Sequence, residues 1–304
     1  MTGAGEVVRG RVLRTVGGVY HVEVPGATIE SAVRGRLKRE RGLGRVAVGD
    51  VVEIERLADG SGVIVGVLSR ESRLSRRVSG GRREQIIAAN VDQLAPIFSV
   101  TRPHPVFPLL DRFLVLAEAN EISAFVVLNK MDLTELEEAR ELVSDYESAG
   151  YPVLYVSARR RTGLTELSTR LANHITVFVG PSGAGKSSLL NELEPGLGLR
   201  VGEISRTLER GTHTTVAASL HPLEGGGYVV DTPGLGKLEF LQMGARELAW
   251  CFPEFRPYLD RCRFPDCTHS HEPDCAVRAA TESGALSERR YQSYLRMLEE
   301  DVEG

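Results

Sequence analysis

Gly180-Pro181-Ser182-Gly183-Ala184-Gly185-Lys186-Ser187, followed by Ser188, is the stretch that decides the fold. It fits G-x-x-x-x-G-K-[ST] and stands between the apolar run Ile175-Thr176-Val177-Phe178-Val179 and a helical segment over 187–193. Its glycines let successive backbone N–H groups wrap a phosphate chain, and the helix N-terminus adds a partial positive charge. In such a loop Lys186 reaches the β- and γ-phosphates and the Ser187 hydroxyl binds Mg²⁺. A glycine-rich turn without nucleotide is the plain alternative, but it leaves the flanking strand and helix unexplained.

Around this loop the chain reads as alternating strands and helices. The segments 91–100, 124–128, 153–156, 175–179 and 228–230 are mostly unbroken apolar runs, although Pro96 counts against the first. Helices are predicted over 108–120 and 134–149. Unbroken apolar strands are buried on both faces, so the expectation is an α/β fold with a mostly parallel sheet.

Asn129-Lys130-Met131-Asp132 closes the 124–128 strand. An N-K-x-D loop there predicts guanine, because the Asp132 carboxylate accepts from N1–H and the N2 amino group, and adenine offers neither donor. A site built on such bonds discriminates by roughly 10⁴-fold or more. Asn129 would tie this loop to the phosphate loop, and the Lys130 stem would cover the base. Ser157-Ala158 follows the 153–156 strand, where a backbone N–H can meet guanine O6. In Asp231-Thr232-Pro233-Gly234, Asp231 would hold Mg²⁺ through water and the Gly234 N–H would sense the γ-phosphate. Thr214 or Thr215 would complete the Mg²⁺ shell as the first switch, a choice the sequence leaves open. His213 is a candidate for positioning the attacking water, and equally for a structural or partner-contacting role. Leu235 stands where many switch GTPases carry a water-orienting glutamine, so slow intrinsic hydrolysis stimulated by a partner is expected.

The order of these motifs is unusual. The guanine loop and Ser157-Ala158 precede the phosphate loop, whereas ordinary GTPases run the other way. Joining the usual termini and opening the chain elsewhere preserves the site, since all these loops sit at one edge of the sheet. The chain is expected to run as a barrel over 1–75, a circularly permuted GTPase domain over 76–243 and a zinc-binding, mainly helical domain over 244–304.

The first of these parts rests on five short β-like runs, 7–12, 19–24, 31–37, 51–54 and 62–68, which suit a small barrel. An OB-fold is one reading and an SH3-like scaffold another. Arg34, Arg36, Lys38, Arg39, Arg41 and Arg45 would give it a basic face. Residues 70–83 are polar and arginine-rich and read as a linker or flexible arm. Residues 1–85 hold 16 Lys+Arg against 10 Asp+Glu, and the rest 21 against 31, so a basic front end precedes an acidic body. That asymmetry suggests one end meets a phosphate backbone.

Past residue 243 aromatic, proline and cysteine residues dominate until a helix over 287–300. Cys262-x₄-Cys267-x-His269-x₅-Cys275 supplies three thiolates and an imidazole, the donor set of a closed structural zinc site. A segment of about 60 residues has a marginal core, so zinc binding at ~10–16 kcal/mol would decide whether it folds. His271 and Cys251 are weaker ligand candidates. No run of about 18 apolar residues exists and the start lacks a secretory pattern, so a cytoplasmic protein without membrane contact is expected.

The whole set resembles the ribosome small-subunit-dependent GTPase A family (RsgA, also called YjeQ or EngC). The likeness runs through Val48-Gly49-Asp50, Ala88-Ala89-Asn90-Val91-Asp92-Gln93, the 129–132 loop, the 180–188 loop, His213-Thr214-Thr215 and the cysteine cluster. Glu209-Arg210-Gly211-Thr212 departs from the family's usual approach to the switch. The resemblance implies an OB-fold, GTP/GDP with Mg²⁺, one Zn²⁺, and late maturation of the 30S subunit through 16S rRNA contacts. It also implies hydrolysis stimulated by that subunit. A monomer is expected. Two other readings compete: an RNA-binding assembly scaffold whose turnover is incidental, and a P-loop ATPase or small-molecule kinase, which conflicts with Asn129 and Asp132.

Overall fold

The computed structural model describes residues 6–35, 46–77, 84–197, 218–231 and 243–303. Five strands form the N-terminal barrel: β1 (Val7–Val16), β2 (Val19–Val24), β3 (Ala27–Val33), β4 (Val51–Arg56) and β5 (Gly62–Val67). Their order is β1-β2-β3-β5-β4, β1 closes on β4, and β3–β5 is parallel while the others are antiparallel. That closure is the OB arrangement, which decides against the SH3-like alternative. Alternate residues point inward, so Val12, Val22, Val24, Ile29, Val52, Ile54 and Ile64 fill the barrel.

Two expectations need correction here. The third strand was expected over 31–37, but β3 starts at Ala27, because the turn at Pro25-Gly26 folds it back on β2 with Val22 opposite Ile29. The 70–83 stretch is not simply a linker. Arg70 donates to both carboxylate oxygens of the fully buried Asp50, at 2.7 and 2.8 Å. β6 (Arg73–Arg77) then pairs with β7 (Glu84–Ala89), and Leu74 is fully buried. One apolar side chain in Arg73-Leu74-Ser75-Arg76-Arg77 is too little pattern to mark a strand.

The central sheet runs β11-β10-β8-β12-β14-β13, from β8 (Gln93–Ser99), β10 (Val126–Asn129), β11 (Val153–Tyr155), β12 (Ile175–Val179), β13 (Ser219–Pro222) and β14 (Tyr228–Asp231). All its pairs are parallel except β13–β14; the short β9 (Ser123–Ala124) adds to β8. Pro96 is accommodated inside β8, opposite Val179. Helices α1 (Phe107–Ala119), α2 (Leu136–Ser148), α3 (Leu164–Leu171) and α4 (Lys186–Leu193) cover the sheet. Val126 and Leu128 face one core with Phe98, Phe113 and Tyr146, and Val127 faces the other with Phe125, Leu167 and Leu189. Burial on both faces is what the unbroken apolar runs require.

β1 also pairs with β13, Arg14 opposite Ser219, so barrel and GTPase sheet are continuous. Beside that seam the Tyr228 hydroxyl donates to Glu23 Oε2 at 2.6 Å. The C-terminal part holds α5 (Ala245–Trp250), α6 (Arg256–Leu259), α7 (Ala276–Glu282) and α8 (Glu288–Glu303) around Phe252, Phe255, Tyr291 and Tyr294. Arg290 of α8 is fully buried and binds Asp111 of α1 at 2.7 Å and Glu254 at 2.7 Å, fastening this part to the GTPase core.

Candidate nucleotide site and metal cluster

The C-terminal ends of β8, β10, β11, β12 and β14 lie along one edge, and the predicted loops gather there. In the 180–188 loop, Ser182 and Gly183 are exposed while Ala184 and Ser187 are buried. Gly185 has φ +97°, and a Cβ there would lie 2.3 Å from Asn129 Nδ2, so both backbone angle and space demand glycine. Lys186 Nζ donates to the carbonyls of Gly180 (2.6 Å) and Pro181 (3.0 Å), folded over its own loop. Burial pushes its ammonium pKa down, against the opposing pull of Asp231. Asp231, ending β14, stands opposite Phe178 of β12 in the parallel register.

Asn129 joins three loops. Its Nδ2 donates to the Ala184 carbonyl at 2.9 Å, and its Oδ1 accepts from the N–H of Lys130 (2.7 Å) and Ala158 (3.3 Å). The Met131 N–H donates to the Val156 carbonyl at 3.1 Å, seating the 129–132 loop on the end of β11. Ser157 Oγ donates to Asp132 Oδ1 at 2.6 Å, and this bond first, with Arg159 and Arg160 nearby, holds the Asp132 carboxyl below the usual carboxylate range. An ionised acceptor is therefore ready for two donors on a base edge.

Asn129, Lys130, Met131, Asp132, Ser157, Ala158, the 180–188 loop and Asp231 thus occupy one edge of the sheet. His213, Thr214, Thr215 and Gly234 lie outside the described residues, as do Arg36, Lys38, Arg39, Arg41 and Arg45 of the expected basic face. Two contributors went unread in the sequence: Arg159, 3.9 Å from Asp132 Oδ2, and the 99–103 turn after β8. The turn's position at a strand's C-terminal end was the available signal.

Cys262, Cys267, His269 and Cys275 bring their ligand atoms within 4.8 Å of one another. Cys262 Sγ and Cys275 Sγ are 3.9 Å apart, and each lies 3.5 Å from His269 Nδ1. Tetrahedral bonds of about 2.3 Å to sulfur and 2.0–2.1 Å to nitrogen require about those edges, so the residues fit a four-coordinate ion. Glu272 braces the ligand loop by accepting from the Thr268 N–H and hydroxyl at 2.7 and 2.6 Å. Tyr291 and Tyr294 donate to the carbonyls of His269 and Thr268. Cys251 is buried with its thiol pushed up to about 12, and does not belong to this set.

Comparison with known proteins follows the same lines. The family described as RsgA GTPase matches residues 67–241, and the RsgA N-terminal domain matches residues 9–64. The chain belongs to the RsgA GTPase family. It is therefore a GTP-hydrolysing enzyme, and the permuted motif order is a property of its fold. The small ribosomal subunit biogenesis GTPase RsgA of Gemmatimonas aurantiaca is 46% identical over 296 residues, covering 96% of each chain. The crystal structure of YjeQ from Thermotoga maritima superposes with a TM-score of 0.80 at 37% identity, over 98% of this chain and 99% of that one. YloQ, described as a circularly permuted GTPase, superposes at 0.74 with 31% identity, over 100% and 98%. No helix among the described residues is long and apolar enough to cross a membrane.

Proposed function

We propose that the chain hydrolyses GTP to GDP and phosphate on the 30S ribosomal subunit, as a late maturation factor whose turnover times its release. The observation that carries this reading is the 2.9 Å bond between Asn129 Nδ2 and the Ala184 carbonyl, which couples a base-selecting loop to a phosphate-binding one. Asp132 reads the guanine edge with Ser157 beside it, and the Ala158 N–H, next to Asn129 Oδ1, serves O6. The 180–188 backbone and Lys186 hold the phosphates. Ser187 and Asp231, with Thr214 or Thr215, would hold Mg²⁺, which neutralises charge on the phosphates. Gly234 senses the γ-phosphate, and His213 is the candidate for orienting water. Cys262, Cys267, His269 and Cys275 would hold a structural Zn²⁺; four protein ligands leave no open position.

The basic balance of residues 1–85 supports 16S rRNA as the surface met by the barrel. Mostly separate apolar cores support the division into 1–75, 76–243 and 244–304, with Val48 and Leu74 of the first part packed in the core of the second and Val115 of the second in that of the third. The protein acts as a cytoplasmic monomer. GTP turnover measured with and without purified 30S subunits, across a salt series, tests the proposal. Stimulation that weakens as salt rises is expected. Turnover indifferent to the subunit at every salt concentration would refute it, and preference for ATP would remove the guanine assignment.

A further inference from the structure

We infer that the 99–103 turn is a third wall of the base site, and that Ser99 is a positioning residue that sets Lys130 for guanine. This rests on reading 129–132 as the guanine loop, but neither the motif nor the family match assigns the turn a role. Ser99 ends β8 directly opposite Asn129, and the Val100 N–H donates to the Asn129 carbonyl at 3.0 Å. The buried Ser99 hydroxyl donates to the Pro103 carbonyl at 2.7 Å, closing the turn on itself. Closure presents the Arg102 carbonyl, from a left-handed residue with φ +50°, to Lys130 Nζ at 2.5 Å. On its other side the turn meets the phosphate loop: a Cβ on Gly183 would lie 3.5 Å from Pro103 Cδ.

A lysine ammonium is a strongly hydrated point charge on a flexible four-carbon stem. Left free, that stem samples many rotamers, and ordering it falls on the binding step. Anchored at both ends, by its backbone N–H on Asn129 Oδ1 and its ammonium on the Arg102 carbonyl, the stem keeps one course beside the base. Preorganisation of this kind strengthens binding without adding a contact to the ligand. Because the base is common to both nucleotides, the turn acts on GDP and GTP alike, unlike a switch segment that distinguishes them. Its approach to Gly183, where an added Cβ would come within 3.5 Å of Pro103 Cδ, places the course of Lys130 beside the phosphate loop.

The test is a double-mutant cycle in the full-length protein, read by the Kd for fluorescent GDP and for a non-hydrolysable GTP analogue. Ser99→Ala should raise both Kd values by the same factor, about five- to tenfold, and raise KM with kcat little changed. Ser99→Thr, which keeps the donor, should recover most of the loss. Combined with Lys130→Ala, Ser99→Ala should add almost nothing, because the two remove one effect. Additive losses, or wild-type Kd values in a folded Ser99→Ala protein, overturn the inference. If Ser99→Ala does not fold, Ser99→Cys, which keeps the volume but offers only a weak donor to the Pro103 carbonyl, takes its place in the cycle, where additive losses or wild-type Kd values again overturn the inference. Absence of GDP-over-ADP preference in the unaltered protein would instead sink the reading of 129–132, so the two failures are separable.

Discussion

At the scale of single residues, the role proposed for Asp132 gives it two jobs that pull in one direction. It accepts from Ser157, its second oxygen would serve the ligand, and the first bond stabilises the ionised form the second needs. A carboxyl held low in the folded state stays charged until pH falls through that lowered value. The share of GDP affinity that Asp132→Asn removes should therefore be flat from pH 8 to about pH 4 and shrink only below it, as titration calorimetry on both proteins would record; the comparison cancels the titration of the GDP phosphate itself. Loss of that share already near neutral pH would contradict the assignment. Asp132→Asn replaces an acceptor with a donor, so GDP binding should fall by about 10²-fold or more. Xanthosine diphosphate, which carries a carbonyl where guanosine has an amino group, should regain part of it. Competition between the two nucleotides on the variant checks this directly.

At the scale of elements, Arg290 shows how α8 is fixed. Its guanidinium is fully buried between Asp111 on α1 and Glu254, with the rings of Phe252 and Tyr146 at 4.7 and 5.3 Å from it. Arg290→Ala would strand two carboxylates out of reach of water, and a loss of about 3–5 kcal/mol is expected, measurable by denaturant unfolding. The sequence could not reveal this, since an arginine in a helix reads as a solvated surface residue. Other elements were hidden for equally physical reasons. β13 spans four residues, too short for a period to register, and α3 only eight. β6 offers one apolar side chain, Leu74, in a run of arginines. By contrast β12 is legible to the residue, because an unbroken apolar run meets a glycine whose backbone no other residue could adopt comfortably. The 129–132 and 180–188 loops stand out for the same reason: the chemistry proposed for them demands particular residue types at fixed spacing, and the structure brings the two together at Asn129 and Ala184. The 99–103 turn meets Lys130 through a backbone carbonyl, which any residue supplies, so its residue types gave no sign and only its place after a strand did.

At the scale of the whole molecule, the zinc proposed for the Cys262, Cys267, His269 and Cys275 cluster would hold the C-terminal part together. Burial raises the Cys267 thiol to about 12 and lowers the His269 pKa, so without a metal these two buried groups stand neutral side by side. Metal analysis should find one zinc per chain. Removal by a strong chelator should forfeit ~10–16 kcal/mol and melt α5 to α7 before the central sheet, visible as a two-step loss of far-ultraviolet dichroism. A single transition unaffected by chelation would argue against the ion. The seam between barrel and sheet carries a different kind of consequence. Among the described strands β13 has β14 on one side and β1, at Ser219, on the other. A shortened chain beginning after β5 would bare the β13 edge there, a template on which a second molecule can dock its own strand. Such a fragment should self-associate on size-exclusion chromatography where the intact chain does not. The barrel thus guards the neighbouring sheet against sticking to its own kind, a service separate from whatever its outer surface touches.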